Sequence, residues 1–347
     1  PPPPPPPSFP IRRPPRSTPR QGRRQRQMCI RDSSAAEIAI TLFGYLATWL
    51  TIWLGLEAGY WQALILVLPG AGFLVRLLMI QHDCGHGSFF RRRRTNDWTG
   101  RFLSVLTLTP YDFWKRAHAV HHATSGNLDR RGIGDITTLT VDEYQGLPRL
   151  GRIGYRLYRN PLTLFGLGPA YLFLLQHRLP VGDFANGRAW ASVMATNAAT
   201  ALLIISAAML IGPQRFLMIY MPIVLIAASA GVWLFYVQHQ FEGVSWARNE
   251  SWQVHEYALH GSSYYALPTV LRWFTANIGM HHIHHLCARI PFYKLPAAIE
   301  EDPALKRMGK LTIRESLQCI PLTLWDERNG RLISFAEFDS RNEQPSG

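Results

Sequence analysis

HDCGH, at residues 82–86, follows closely on an apolar run, and two more histidine clusters lie later in the chain, HAVHH at 118–122 and HHIHH at 281–285. Within these clusters, eight of the chain's 13 histidines are spaced three or four residues apart. Side chains at this spacing lie on the same face of a helix, and imidazole is a ligand that suits iron or zinc. The clusters therefore predict a metal centre that can surround two ions.

Residues 1–33 do not resemble protein-coding sequence. RQMCIRDS, at Arg26–Ser33, and IRRPPRST, at Ile11–Thr18, are compatible with translated sequencing-library adaptors, and seven prolines open the chain. The alternative is a basic, Pro-rich, disordered tail that binds nucleic acid or lipid. We predict that residues 1–33 are a non-native, disordered segment, and the fold is therefore argued from residues 34–347.

Charge and cysteine content narrow the class of protein. The formal net charge is +13, but residues 1–33 hold eight Arg and one Asp, so the remaining residues carry only +6. This removes most of the support for a nucleic-acid partner, and we expect none. Cys84, Cys287 and Cys319 are too few and too scattered for a disulfide framework or a CxxC zinc site.

Four apolar windows are each about long enough to cross roughly 30 Å of hydrocarbon. They are Ala36–Ala58, Trp61–Ile80, Trp190–Ile211 and Phe216–Val237. We predict an all-α integral membrane protein with four transmembrane helices in two hairpins and a His-rich helical cap. Four buried helices of a large soluble protein are the alternative, but Trp and Tyr near the window ends are more typical of membranes. Arg76 lies inside the second window, and we expect its long side chain to snorkel to the interface.

The even number of spans returns both hairpins to the side on which they began. All three clusters, together with His239, then lie on one side, which allows a single metal centre. The same side carries Arg91–Arg94, Lys115, Arg116, Arg130 and Arg131. The positive-inside rule makes that side cytoplasmic. The apolar stretch Asn160–Gln176 contains Gly166, Gly168 and Pro169, and we interpret it as interfacial or re-entrant rather than as a fifth span.

The order of these motifs carries a family resemblance. HDCGH after a hairpin, HAVHH about thirty residues later, and GMHHIHHLCARIP at 279–291 after a second hairpin resemble the three histidine boxes of the integral-membrane fatty acid desaturases and their hydroxylase relatives. The stretches HHATSGNLDRRGIGDITTLTVDEY at 121–144 and WLFYVQHQFE at 233–242 further resemble the acyl-lipid delta-12/omega-6 branch of bacteria and plastids. The resemblance implies an enzyme of the bacterial inner membrane with its active site on the cytoplasmic side.

In that family two iron ions, held almost entirely by histidines, activate dioxygen as co-substrate and remove two hydrogens from an acyl chain. The resemblance assigns the catalytic and metal-binding roles to His82, His86, His118, His121, His122, His281, His284 and His285. It adds His239 as a further ligand, because the family usually places one histidine near the end of the fourth span. A lone histidine at a helix end is otherwise more often a cap or an interfacial residue.

Other polar residues near the boxes have supporting roles in this interpretation. His282 breaks the HxxHH register and is expected to have a packing or supporting role, whereas His177, His255 and His260 match no box and are expected to be structural or at the surface. Carboxylates orient metal-bound histidines by accepting a hydrogen bond from the second ring nitrogen. Candidates for this role, or for pairing with Arg130 and Arg131, are Asp83, Asp129, Asp135 and Glu242; the alternative for each is a solvated loop charge.

Substrate and electrons must both reach the centre. Aromatic residues that could line an acyl tunnel, or anchor the helices at the interface, are Phe113, Trp114, Trp233, Tyr236 and Trp273. The sequence has no flavin, haem or iron-sulfur motif, so an external electron donor is required, and the resemblance implies ferredoxin. The Arg-rich face would attract such an acidic protein, although topology and anionic lipids explain the same arginines.

The predicted function is a di-iron fatty acyl desaturase that acts on membrane-lipid-linked chains. A hydroxylase, ketolase or conjugase on the same scaffold is the nearer alternative. A non-catalytic membrane metal-binding or transport protein is the more distant one, because its ligands would lie near the bilayer midplane rather than outside the spans.

Overall fold

A computed structural model describes residues 20–302 and 304–343, with side chains from residue 33 to residue 341. The prediction that residues 1–33 are a non-native segment falls on residues outside this range, or on residues described only as the beginning of the first helix. It therefore stays a prediction.

Helices make up most of the described chain. They are α1 (Arg20–Glu57), α2 (Val67–His86), α3 (Arg93–Thr107), α4 (Tyr111–Thr124), α5 (Val141–Gly146), α6 (Arg149–Tyr158), α7 (Gly168–Leu174), α8 (Gly187–Ile211), α9 (Pro213–His239), α10 (Val254–His260), α11 (Thr269–Phe274), α12 (His281–Leu286), α13 (Leu295–Glu301), α14 (Ile313–Gln318) and α15 (Phe335–Glu343). The strands are β1 (Leu139–Thr140), β2 (Tyr264–Tyr265), β3 (Lys310–Leu311), β4 (Leu324–Asp326) and β5 (Arg331–Ile333).

Within the described residues, four helical stretches are long and apolar enough to cross a membrane, as the sequence predicts. They are Ser33–Glu57, Trp61–His86, Gly187–Ile211 and Pro213–His239. The second and fourth continue beyond the predicted spans and carry His82, His86 and His239 at their ends. Hydropathy marks where the apolar residues stop, whereas helical hydrogen bonding continues through the polar residues that follow.

The α2 helix is the centre of this bundle and packs against α1, α3 and α9. Its Gly70 faces Thr48 and Ile223 so closely that an added Cβ would lie 2.9 Å from the Ile223 side chain. In contrast, α1 and α8 leave large apolar side chains such as Phe43 and Met209 exposed. Apolar belts of this kind are expected where helices face lipid.

The cap contains two small sheets that the sequence does not predict. In one sheet β4 lies between β1, to which it is parallel, and β5, to which it is antiparallel, and in the other β2 pairs with β3 in parallel. Strands of two or three residues are too short to show the alternating pattern that identifies a strand.

The apolar stretch Asn160–Gln176 forms short pieces rather than a span. A π-helical turn at Thr163–Leu167 leads into α7, and a 3-10 turn follows. Phe165 packs against Trp233 and Tyr236 near the end of α9, at ring-centroid distances of 5.0 and 5.1 Å. The segment therefore lies beside the end of a span, which agrees with an interfacial placement.

Arg76 does not snorkel, contrary to the sequence-based expectation. Its side chain is only 2% exposed and forms an ion pair with Glu37 of α1. The guanidinium also donates to Thr41 Oγ1, at 3.2 Å, and to the carbonyl of Trp273, over whose ring it lies. A nearby carboxylate and carbonyl offset the cost of burying the charge, so reaching water is unnecessary.

We predict that Glu37→Ala destabilises the protein by about 3 kcal/mol, because it leaves the buried Arg76 charge without its carboxylate. The midpoint of thermal unfolding in detergent should fall by roughly 5–10 °C. The matched control is Glu57→Ala, which removes the exposed partner of Arg215 and should cost about 1 kcal/mol or less. Equal shifts in the two variants would contradict the buried ion pair.

Candidate metal centre

Four helices bring the nine predicted histidines together. His82 and His86 lie at the end of α2, and His239 ends α9. The remaining six lie on α4, as His118, His121 and His122, and on α12, as His281, His284 and His285. The HxxxH and HxxHH spacings make this possible because each set occupies one side of its helix.

The nine histidines form two groups, in each of which one ligand atom per residue lies within 4.8 Å of the others. The first group is His82, His86, His118, His122 and His284, and the second is His121, His239, His281 and His285. Adjacent residues of a helix point about 100° apart, so α4 contributes to both groups through His121 and His122. The α12 helix does the same through His284 and His285.

The Nε2 atoms point at one another. In the first group His86 Nε2 lies 3.0 Å from His118 Nε2, and His284 Nε2 lies 3.1 Å from His122 Nε2. In the second group, His281 Nε2 lies 3.0 Å from His239 Nε2 and 3.1 Å from His285 Nε2.

The Nδ1 contacts settle the tautomer of two of these rings. His121 Nδ1 donates to Asp135 Oδ1, and His239 Nδ1 donates to the carbonyl of Gly261, at 3.1 Å. A neutral imidazole with its proton on Nδ1 has a lone pair on Nε2. The Nε2 of His121 is buried and has no hydrogen-bond partner within the described chain. Converging lone pairs in a buried space fit a cation, so the donor set suits two metal ions.

Asp83 supports the first group through the Nδ1 atom of His82, the ring nitrogen that does not face the other histidines. Its Oδ1 lies 3.2 Å from His82 Nδ1, and its Oδ2 accepts a hydrogen bond from the backbone N–H of Phe292, at 2.7 Å. One carboxylate therefore connects the end of α2 to the segment that follows the third histidine box. Such contacts fix the orientation of a ligand ring and raise its basicity.

Burial keeps the imidazoles of the cap neutral. Desolvation lowers the pKa of His118, His122, His281, His284 and His285, and the neighbouring imidazoles lower it further. Neutral imidazole is the form that binds metal. Burial raises the pKa of Asp135, but the hydrogen bond from His121, together with that from the backbone N–H of Gly132, outweighs it, so the net shift is downward and the carboxylate stays ionised.

The other histidines lie outside both groups. His282 points away from them, and its Nε2 lies 3.0 Å from the carbonyl of Leu305. Desolvation lowers the pKa of His282 to about 4, so it is a neutral packing residue. His177 packs against Phe173, and His255 and His260 are exposed, so none of these lines the centre.

Two of the four acidic candidates do not contact a histidine of either group. Asp129 pairs with Arg248 and accepts from the backbone of Asn249, not from Arg130 or Arg131. Glu242 is exposed. Both follow elements that end near the centre, but their side chains turn toward the surface of the cap, which sequence proximity cannot reveal.

Of the five predicted aromatic residues, Trp114 alone contacts the first group in the described part of the chain. Its ring stacks on His118 with centroids 4.6 Å apart. Sequence reasoning missed Phe235, which packs against His121 and His239 at 5.1 and 5.0 Å. The available signal was its spacing, because Phe235 precedes His239 by four residues and shares its helix face.

We predict that Asp135→Asn weakens metal retention about 10-fold or more, because the neutral amide holds and polarises His121 less strongly. The measurement is the metal content per chain, by mass spectrometry, after dialysis against increasing concentrations of chelator. Asp129→Asn is the matched control, because that carboxylate touches none of the nine histidines. Identical retention by the two variants would remove Asp135 from the centre.

Comparisons with known proteins agree with this geometry. The fatty acid desaturase family profile matches residues 58–315, which include all nine histidines. A fatty acid desaturase of Bacillus subtilis is 43% identical over 303 residues, covering 87% of this chain and 86% of the relative. An sn-1 acyl-lipid omega-3 desaturase (ferredoxin) of Synechocystis is 26% identical over 255 residues, covering 71% and 68%. A probable fatty acid desaturase of Sorghum bicolor is 31% identical over 268 residues, covering 71% and 64%.

Proposed function

Because the chain belongs to the fatty acid desaturase family, we propose that it introduces a cis double bond into an acyl chain of a membrane lipid, with two iron ions and dioxygen. Membership makes it an integral-membrane oxidoreductase. The observation that carries the finer proposal is the division of nine converging histidines into groups of five and four. These groups lie where two apolar helices end, so a chain embedded in the bilayer has only a short distance to travel.

Iron is proposed because the family resemblance implies it and because all nine donors are imidazoles, which suit iron. When bound, the two irons supply the activation of dioxygen. The residues around them keep the ligands in place: Asp135 orients His121, the Gly261 carbonyl orients His239, and Asp83 contacts His82. Overall, two hydrogens leave the acyl chain, and with two external electrons and two protons one dioxygen becomes two waters.

An apolar cavity between the spans is suited to an acyl chain. It lies between α2, α3, α7 and α9 and is lined by Leu74, Val75, Leu106, Phe173 and Val224 among others. Leu74 precedes His82 by eight residues, or about 12 Å along the helix. We therefore place the acyl chain between the spans, with its reacting carbons toward Trp114 and the first histidine group.

The electron donor is proposed to be a ferredoxin or a similar small acidic protein. Two relatives carry the name sn-1 acyl-lipid omega-3 desaturase (ferredoxin), which supports this choice. Arg91–Arg94 form an exposed basic run next to the end of α2, in which Arg93 Nε lies 3.9 Å from Asp97 Oδ2 while its side chain stays in solvent. Lys115 and Arg116, predicted as part of the same surface, are instead paired with Asp97 and Asp183. The run at 91–94 is therefore the better candidate for electrostatic steering. The side that carries it is proposed to be cytoplasmic, at a bacterial inner membrane.

The position of the new double bond is proposed to be delta-12/omega-6, from the resemblance of the second histidine box and the end of the fourth span. Relatives include proteins named as omega-3 desaturases. Product analysis distinguishes these positions directly, and it also separates desaturation from hydroxylation or ketone formation.

The test is expression in a bacterial host that supplies oleate and its own reductant, with fatty acids analysed by gas chromatography and mass spectrometry. The full chain and residues 34–347 should both produce a new diene. His121→Ala should lower the diene by more than about 100-fold, since losing a ligand costs more than losing its supporting partner. His255→Ala is the control, because that exposed histidine lies outside both groups, and it should leave the product unchanged.

Other products define the outcomes against the proposal. A hydroxylated or ketone product would assign the chain to a sister activity on the same scaffold. A diene that persists in His121→Ala, or no new product while metal is bound and the donor is reduced, would contradict the proposed reaction.

A further inference from the structure

The α6 helix presents an apolar stripe that no described residue covers. Leu150, Ile153 and Leu157 are 81%, 46% and 61% exposed, and their spacing of three and four residues places them on one face. The opposite face is buried. There Tyr155 packs against Phe335, and its hydroxyl donates to the carbonyl of Thr323, at 2.7 Å.

The stripe continues toward the membrane spans. Leu162 and Leu167, which follow α6, are also among the most exposed leucines of the chain. Between them Phe165 packs on Trp233 and Tyr236 of α9. The segment thus has one side against a spanning helix and the other exposed at the same level, where lipid surrounds the span.

Arg159, the residue after α6, fixes the end of this helix beside the end of α9. Its guanidinium donates to the carbonyl of Leu322, at 2.8 Å, and contacts the hydroxyl of Tyr236, three residues before α9 ends. The ten residues of α6 extend about 15 Å from that point. If the helix pointed away from the bilayer, the stripe would be left in water along that whole length.

Arginines line one flank of the stripe. Arg149 and Arg152 are exposed and have no carboxylate partner among the residues whose side chains are described, whereas Arg156 pairs with Asp339. Basic residues beside an apolar face are typical of helices that lie in a membrane interface. Unpaired arginines there attract anionic headgroups.

We propose that α6 lies in the plane of the membrane, with Leu150, Ile153 and Leu157 among the acyl chains and Arg149 and Arg152 on the phosphates of anionic lipids. This contact holds the cap down on the bilayer beside the metal centre. Lipid is favoured over a second copy or another protein because the stripe is continuous with the surface of a span and is flanked by unpaired positive charge.

The experiment places a fluorescent label at single cysteines of the full chain in nanodiscs. Cys29→Ser and Cys287→Ser remove two of the four thiols, and Cys84 and Cys319 are buried. Labels at Leu150→Cys and Leu157→Cys should be quenched by phospholipids with a nitroxide near the headgroup, several-fold more than a label at the exposed Glu250→Cys. Iodide in the water should quench them in the opposite order.

The charge is tested by lipid composition. Quenching at Leu157→Cys should be stronger with phosphatidylglycerol than with phosphatidylcholine alone, and Arg149→Gln with Arg152→Gln should abolish the difference. Labels as accessible to iodide as the one at Glu250→Cys would overturn the proposal. Protection from iodide without nitroxide quenching would also overturn it, because a protein would then cover the stripe.

Discussion

Nine imidazole nitrogens that converge in a buried space are the constraint on which the rest of the structure depends. Lone pairs about 3 Å apart repel one another, and each ring has lost the water that would otherwise hydrogen-bond to it. Two bound cations would remove both costs at once. The surrounding cap must hold the histidine-bearing parts of α2, α4, α9 and α12 in fixed relative positions. It does so through contacts such as those of Asp83 with the backbone N–H of Phe292 and of Asp135 with His121.

The membrane-spanning helices position this centre. Two hairpins place the ends of α2 and α9 on the same side, and both helices continue past the apolar region to carry their histidines. The long helices are held together by close packing around Gly70 and by the Arg76–Glu37 pair. One small sheet of the cap joins β1, after α4, to β4 near the carboxyl terminus, and the other joins β2 to β3, so distant segments of the sequence meet around one centre.

The sequence predicted the four spans from local composition and the convergence of eight histidines from their spacing within single helices, whereas His239 could be added only through the family resemblance. It could not allot the histidines to groups of five and four, since that depends on how α4 and α12 are rotated against α2 and α9. It could not separate Asp135 from Asp129 either. Both lie in the connection after α4, five and eleven residues beyond its end, but Asp135 turns inward to His121 whereas Asp129 pairs with Arg248. The burial of Arg76 likewise depends on Glu37, a residue 39 positions away.

The most direct test of the account is anomalous X-ray scattering from crystals of the protein, recorded on both sides of the iron absorption edge. Two iron peaks are expected, one amid His82, His86, His118, His122 and His284, and the other amid His121, His239, His281 and His285. A single peak, peaks elsewhere in the chain, or peaks that appear at the zinc edge instead would contradict a di-iron centre built from these two groups.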